Sequence, residues 1–212
     1  MRSDPIRIRA TWLLMTAAVA PAHAQVVTYE ANDFPEQFGW ERRNNWPDRM
    51  VENGWFIQTF REEGQDFYRY DIGGISGLVG RFFVEWRAMS NYPEWLIYEW
   101  QTPAALSSAG RAASLYHVVM TESAAVLLRD VSIPRVIVPI SVGEPHTYRV
   151  EVYADEYIWY TDGAVEDSGV PEGPYPDLNA FVIWGSRRNG VEGATTAWCA
   201  ASVGNGVFGR SG

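Results

Sequence analysis

The chain has 212 residues with 26 acidic and 17 basic side chains, a formal net charge of -9. Every basic residue is an arginine, since the sequence contains no lysine. Such a chain lacks the basic surface that nucleic acid or an anionic bilayer requires, and nucleic acid is excluded as a partner.

Residues 1–24 have the layout of a secretory signal peptide. Arg2, Arg7 and Arg9 give a basic start, Trp12 to Ala20 is apolar, and Ala22-His23-Ala24 is a small-x-small cleavage site. The mature chain is expected to begin at Gln25 and to be secreted or periplasmic. Removing the leader, with its three arginines and Asp4, makes the remainder more acidic. The apolar run is shorter than the roughly 20 residues a spanning helix needs, and no transmembrane segment is expected. Residues 25–212 suit one domain with a single sizeable core.

Strand-like runs then follow one another at Val26–Glu30, Trp55–Phe60, Asp66–Asp71, Arg81–Ala88, Trp95–Trp100 and Ser114–Val119. They continue at Ala124–Asp130, Arg135–Ser141, Thr147–Tyr153, Tyr157–Thr161, Ala180–Gly185 and Thr195–Val203. Gly73-Gly74, Gly163, Gly173-Pro174 and Asn189-Gly190 punctuate them. Many short strands at this spacing predict an all-β sandwich or barrel. Short helical pieces are expected only near Ile75–Val79 and over Pro103–Ala112.

Facing is legible in several runs. Phe82, Val84 and Trp86 share one face of their strand, with Phe83, Glu85 and Arg87 on the other. Trp95–Trp100 is bulky on both faces, as a central strand would be. The stretch His146 to Gly169 reads as three strands joined by two tight turns. Tyr148, Val150 and Val152 alternate with Arg149 and Glu151, and Asp162-Gly163 supplies the positive φ of a hairpin turn.

Cys199 is the only cysteine, so no intramolecular disulfide forms and the core must hold the domain. It lies in the apolar run Ala194 to Val203, where a buried, inert thiol is expected; a reactive one needs an electropositive neighbour. Ten tryptophans, all but Trp12 beyond the leader, are a heavy aromatic load. Trp86, Trp100, Trp184 and Trp198 sit in apolar alternation and are expected in the core, while Trp40 and Trp46 clip the polar stretch Glu36–Asn53 onto the fold. Trp95, Tyr92 and Tyr160 are surface candidates for stacking on sugar rings, with Arg87, Glu85 and Glu99 as nearby hydrogen-bonding groups.

The order of elements over His146-Thr147-Tyr148-Arg149-Val150-Glu151-Val152, Trp159-Tyr160-Thr161-Asp162-Gly163, the Pro-rich loop Gly169–Pro176 and the strand Ala180-Phe181-Val182-Ile183-Trp184-Gly185-Ser186 resembles the last third of concanavalin A-like lectin/glucanase domains, including the laminin-G-like group. The clear likeness covers about 60 residues, and strand spacing allows it to extend further. It implies a jelly roll of two curved antiparallel sheets with Val26–Glu30 and Thr195–Val203 adjacent. Such domains often close with Trp-Asp, but here Cys199 follows Trp198.

The resemblance also directs attention to chemistry. Glucanases of this fold share E-x-D-x-x-E or a shorter form, with two carboxylates about 5–5.5 Å apart for retaining hydrolysis. Glu94 and Glu99 have a bulged spacing of that kind, but Leu96 stands in place of the middle Asp and cannot tune a carboxylate. Polysaccharide lyases of the fold carry Gln-x-His with Tyr and Arg nearby. Here His117 lacks the Gln, and Arg87, Tyr98 and Tyr116 would have to converge on it. No metal-ligand constellation is present and no cofactor is expected, Glu30 and Asp33 being the only calcium ligands the resemblance points to. The leading expectation is a non-catalytic domain that binds a polysaccharide or glycan on the concave sheet face or rim loops. A divergent glycoside hydrolase or lyase and an envelope domain that recognises another protein are the alternatives. The oligomeric state is left open.

Overall fold

Two turns with positive φ close hairpins at opposite ends of the larger sheet. Asp162 (φ 50°) and Gly163 (φ 81°) join β12 (Tyr157–Thr161) to β13 (Ala164–Gly169). Asn53 (φ 53°) and Gly54 (φ 76°) join β3 (Asp48–Glu52) to β4 (Trp55–Thr59). Glycine has no Cβ to clash in this left-handed region, and the short polar Asn and Asp tolerate it, so these pairs match the twist of the strands they connect.

A computed structural model describes residues 26–43, 48–59, 65–71, 81–91, 104–108, 114–130, 133–153, 156–170, 180–187 and 195–204. Its further strands are β1 (Val26–Glu30), β2 (Glu41–Arg43), β5 (Gln65–Asp71), β6 (Arg81–Ser90), β7 (Ala104–Ser108) and β8 (Ser114–Met120). They continue with β9 (Ala124–Asp130), β10 (Ile133–Pro139), β11 (His146–Tyr153), β14 (Ala180–Arg187) and β15 (Thr195–Gly204). A 3-10 turn at Pro35–Phe38 precedes β2.

Among the described residues all pairings are antiparallel. One sheet of eight strands has the order β13-β12-β11-β6-β15-β4-β3, with β1 also on β15; the other has seven in the order β10-β9-β8-β7-β14-β5-β2. On one side of β15, Thr195 to Trp198 pair with β4 and Ala200 to Gly204 pair with β1, while β6 runs along the other side. The terminal strands are therefore neighbours, as the resemblance implied.

The sheets meet through their aromatic inner faces. Trp184 on β14 lies 5.0 Å from both Tyr68 on β5 and Trp198 on β15, 5.2 Å from Tyr29 and 5.6 Å from Trp40, ring centre to ring centre. Val84, Trp86, Tyr148, Val150, Trp159 and Val203 extend the same core. Trp86, Trp184 and Trp198 are thus buried as expected, and Trp40 is buried against Tyr70 and Trp184. Trp46 and Trp100 lie outside the described residues.

Several expectations change. Ala104 to Ser108, expected within the helical piece Pro103–Ala112, is strand β7 between β14 and β8. Hydrogen bonding to strands on both sides overrides a modest local helix preference. Strands β2 and β3 occupy a stretch read as polar loop, although Asn53-Gly54 is a strong hairpin signal. The expected leader (1–24), the strand 95–100 and the helical piece 75–79 lie outside the described residues.

Cys199 departs from its expected burial. Trp198 pairs with Ala88 and Ala200 with Arg87, so Cys199 is the extra residue of a β-bulge and is only half-buried. The bulge also shifts the inward set by one residue: Thr196 and Trp198 face the core before it, Ala201 and Val203 after it.

Candidate functional site

Strict alternation along β6, β11 and β12 turns one set of side chains outward from the eight-stranded sheet. Register aligns these outward sets across three strands. Glu85 pairs with Arg149 and Arg149 with Tyr160, Phe83 pairs with Glu151 and Glu151 with Ile158, and Thr147 pairs with Arg87. The candidate residues Glu85, Arg87 and Tyr160, dispersed in sequence, thus come to one face. Four residues not singled out as ligand contacts join them there: Phe83, Arg149, Glu151 and Tyr153.

The side chains form one connected network. Arg149 donates from Nε to Glu151 Oε1 at 2.8 Å and from Nη1 to Glu85 Oε2 at 3.1 Å. Its guanidinium lies over the Phe83 ring, 4.3 Å from the centroid, a cation–π contact that leaves Phe83 only 3% exposed. Tyr153 donates its hydroxyl to Glu151 Oε2 at 2.5 Å, and Tyr160 donates to the same oxygen at 3.3 Å. Arg149 and Glu151 are largely covered, whereas 36% of the Glu85 side chain is exposed. Charge-assisted bonds of this kind fix rotamers as well as charge, so the aromatic edges and the open carboxylate of Glu85 are held in place.

Arg87 lies at the end of this face nearest the β12–β13 turn. Its carbonyl accepts a hydrogen bond from Cys199 Sγ at 3.5 Å. Burial pushes the Cys199 thiol up, and the nearby Arg87 charge recovers only part of that shift, so the thiol stays protonated at neutral pH. Below Arg87, His146 Nδ1 is 2.6 Å from Asp162 Oδ2 and Nε2 is 3.3 Å from the Ser141 carbonyl oxygen, while the Thr147 N–H donates to Asp162 Oδ1 at 2.8 Å. Burial alone would raise the Asp162 pKa, but the hydrogen bonds from His146 and Thr147 and the charges of His146 and Arg87 outweigh it and hold it below the ordinary value.

His117 sits in the other sheet, paired with Ala105 and Leu128, in a row that continues through Ile183 to Arg69. Arg87 and His117 belong to different sheets. Tyr92, Glu94, Trp95, Tyr98 and Glu99 lie outside the described residues, between the end of β6 and the start of β7. Asp33 takes part in a turn, its Oδ1 accepting the Phe34 N–H at 2.7 Å and its carbonyl accepting the Tyr29 hydroxyl at 3.0 Å. Among the described residues no group of three or more His, Cys, Asp or Glu is placed to hold a metal ion. No described helix is long and apolar enough to cross a membrane.

The signal for the missed residues was partly present. Alternation put Arg149 and Glu151 on the polar face of β11, but only the pairing of β11 with β6 brings them to Phe83 and Glu85.

No protein-family model matches the sequence, and no curated protein sequence matches it. Solved structures do match its architecture. An alginate lyase of polysaccharide lyase family 7 aligns with a TM-score of 0.58 at 8% identity over 80% of this chain and 87% of the lyase. The fold is a concanavalin A-like jelly roll. The CBM2 module of the evolved Dit of Lactobacillus casei BL23 phage J-1 aligns with a TM-score of 0.60 at 11% identity over 88% of this chain and 98% of the module. A prokaryotic beta-1,3-1,4-glucanase from a mouse hindgut metagenome aligns with a TM-score of 0.53 at 10% identity over 84% and 98%. At these identities the likeness establishes the jelly roll and leaves function to the side chains.

Proposed function

We propose that this protein is an exported, non-catalytic glycan-binding module whose site includes the outward face of β6, β11 and β12. The observation that carries the reading is the convergence of the Tyr153 and Tyr160 hydroxyls on Glu151 beside an arginine stacked on Phe83. A sugar ring presents apolar C–H faces edged by hydroxyl groups, so it is complementary to aromatic edges interleaved with a carboxylate and phenolic oxygens. The jelly-roll likeness to an alginate lyase and a glucanase supports the same class of ligand. Leu96, standing where the glucanase pattern has an Asp, argues against hydrolysis through Glu94 and Glu99.

The test is affinity electrophoresis through gels containing a panel of polysaccharides. Selective retardation by one polymer, lost in Tyr160→Ala while that variant still melts cooperatively, is the expected result. Retardation by no polymer would overturn the reading and move the weight to a protein partner.

A further inference from the structure

Acidic side chains outnumber arginines in this chain by 26 to 17, and Arg43, Arg49, Arg69 and Arg149 each hold a carboxylate. Arg87 does not. Its side chain is exposed, and its guanidinium makes no hydrogen bond or ion pair. The sheet fixes its position instead. At Arg87, β6 is paired with Thr147 of β11 on one side and Ala200 of β15 on the other, and both neighbours are small. The bulge at Cys199 lies opposite, with the Cys199 thiol bonded to the Arg87 carbonyl. The guanidinium therefore stands between two short side chains, on a strand whose backbone is held from both sides.

The carboxylates of the same face are engaged elsewhere. Glu85, two residues away, bonds to Arg149 at 3.1 Å, and Glu151 is taken by Arg149, Tyr153 and Tyr160. Asp162, at the adjoining turn, is held by His146 and the Thr147 N–H. Glu30, beyond Ala200 on β1, is exposed and makes no ion pair with Arg87. The net negative charge of the whole chain acts weakly here, because exposed charges more than about 8 Å apart are screened at physiological salt. A guanidinium presents paired N–H donors in one plane, which match the two oxygens of a carboxylate. Along β6, Arg87 lies about 7 Å from Glu85, one row from the line of Glu85, Arg149 and Tyr160. A sugar seated on Tyr160 and Glu85 can thus direct an acidic substituent, its own or that of the next ring, to Arg87. We propose that this face takes a uronate-bearing glycan and that Arg87 receives the uronate carboxylate, an inference that rests on the glycan-binding reading above.

The experiment is affinity electrophoresis of the full chain through gels containing polygalacturonate, its methyl ester, alginate or a neutral β-glucan. Retardation by polygalacturonate or alginate that exceeds retardation by the methyl ester and the β-glucan is expected. Arg87→Gln should weaken it by about two- to fivefold, the range for one exposed ion pair, and Arg87→Lys should recover part, keeping the charge but losing the fork. Arg87→Gln breaks no side-chain bond within the protein and should still melt cooperatively, so lost retention reports the site. Retention by the acidic polymers that is unchanged in Arg87→Gln, or retention by neutral polymers alone, would overturn this inference while leaving glycan binding standing. Equal retention by polygalacturonate and its methyl ester would do the same. Retardation by no polymer would overturn the underlying reading and this inference with it.

Discussion

His146 and Asp162 are joined by a 2.6 Å contact across 16 residues, and it ties the start of β11 to the turn between β12 and β13. Both ring nitrogens of His146 face oxygen acceptors, the Asp162 carboxylate and the Ser141 carbonyl. His146 is buried, and one side chain thereby fastens the β10–β11 loop, β11 and the following hairpin together.

Replacing His146 should loosen this three-way junction. His146→Ala is expected to cost about 1–3 kcal/mol, the range for removing a buried partner from charged hydrogen bonds. Asp162→Asn should cost less, since Asn accepts the positive φ and its amide oxygen can still receive the Thr147 N–H. Chemical denaturation of the two variants ranks these costs, and equal losses would show that the His146–Asp162 contact, which both variants alter, matters and the turn backbone, which Asn preserves, does not.

The same carboxylate sets a pH dependence. The Asp162 pKa is lowered in the folded state from its ordinary 3.8. Its contribution is therefore complete above pH 3.8 and disappears as the pH falls through the lower folded value. Wild-type stability should drop more steeply than that of Asp162→Asn below about pH 4, and parallel acid limbs in the two proteins would contradict this.

The core makes a contrast between two neighbouring tryptophans. Trp198 Nε1 donates to the buried Gln58 Oε1 at 3.2 Å, whereas Trp184 Nε1 is buried without a hydrogen-bond partner. Trp184→Phe and Trp198→Phe remove similar volumes, but only the second takes a donor from a buried amide. Trp198→Phe should be the more destabilising by about 1 kcal/mol, and Trp184→Ala, which empties the centre of the aromatic cluster, should cost about 3–5 kcal/mol. Urea unfolding of the three variants tests the order.

On the outward face, Glu151 anchors the network by accepting from Arg149, Tyr153 and Tyr160. Glu151→Gln should cost about 1–3 kcal/mol, because it weakens charge-assisted bonds at a largely covered site. Tyr153→Phe should lose a single hydroxyl bond and about 1 kcal/mol. Melting curves read both, and a neutral effect of Glu151→Gln would show that the network carries no net stability.

Local features were legible without the fold. The alternation in Thr147 to Tyr153 marked a half-buried strand, and Asp162-Gly163 marked the turn where the positive φ values occur. The hairpin at Asn53-Gly54 was equally readable but was obscured by its polar surroundings. Ala104 to Ser108 was misread because a run of small residues satisfies helix and buried strand alike, and its state was settled by β14 and β8 on either side. Alternation placed Glu85 and Arg87 on one face of their strand, with no indication that Tyr160 shares it.

By itself the sequence determined an all-β chain with an aromatic core, because side-chain direction in a strand alternates with a period of two and leaves its mark in neighbouring residues. Only the tertiary structure decided that β6 pairs with β11, which places Glu85 beside Arg149 across 64 residues of chain. It alone decided where the bulge at Cys199 shifts the inward face of β15. Many registers satisfy the same alternation, and the choice among them is made by the packing of both sheets against one another.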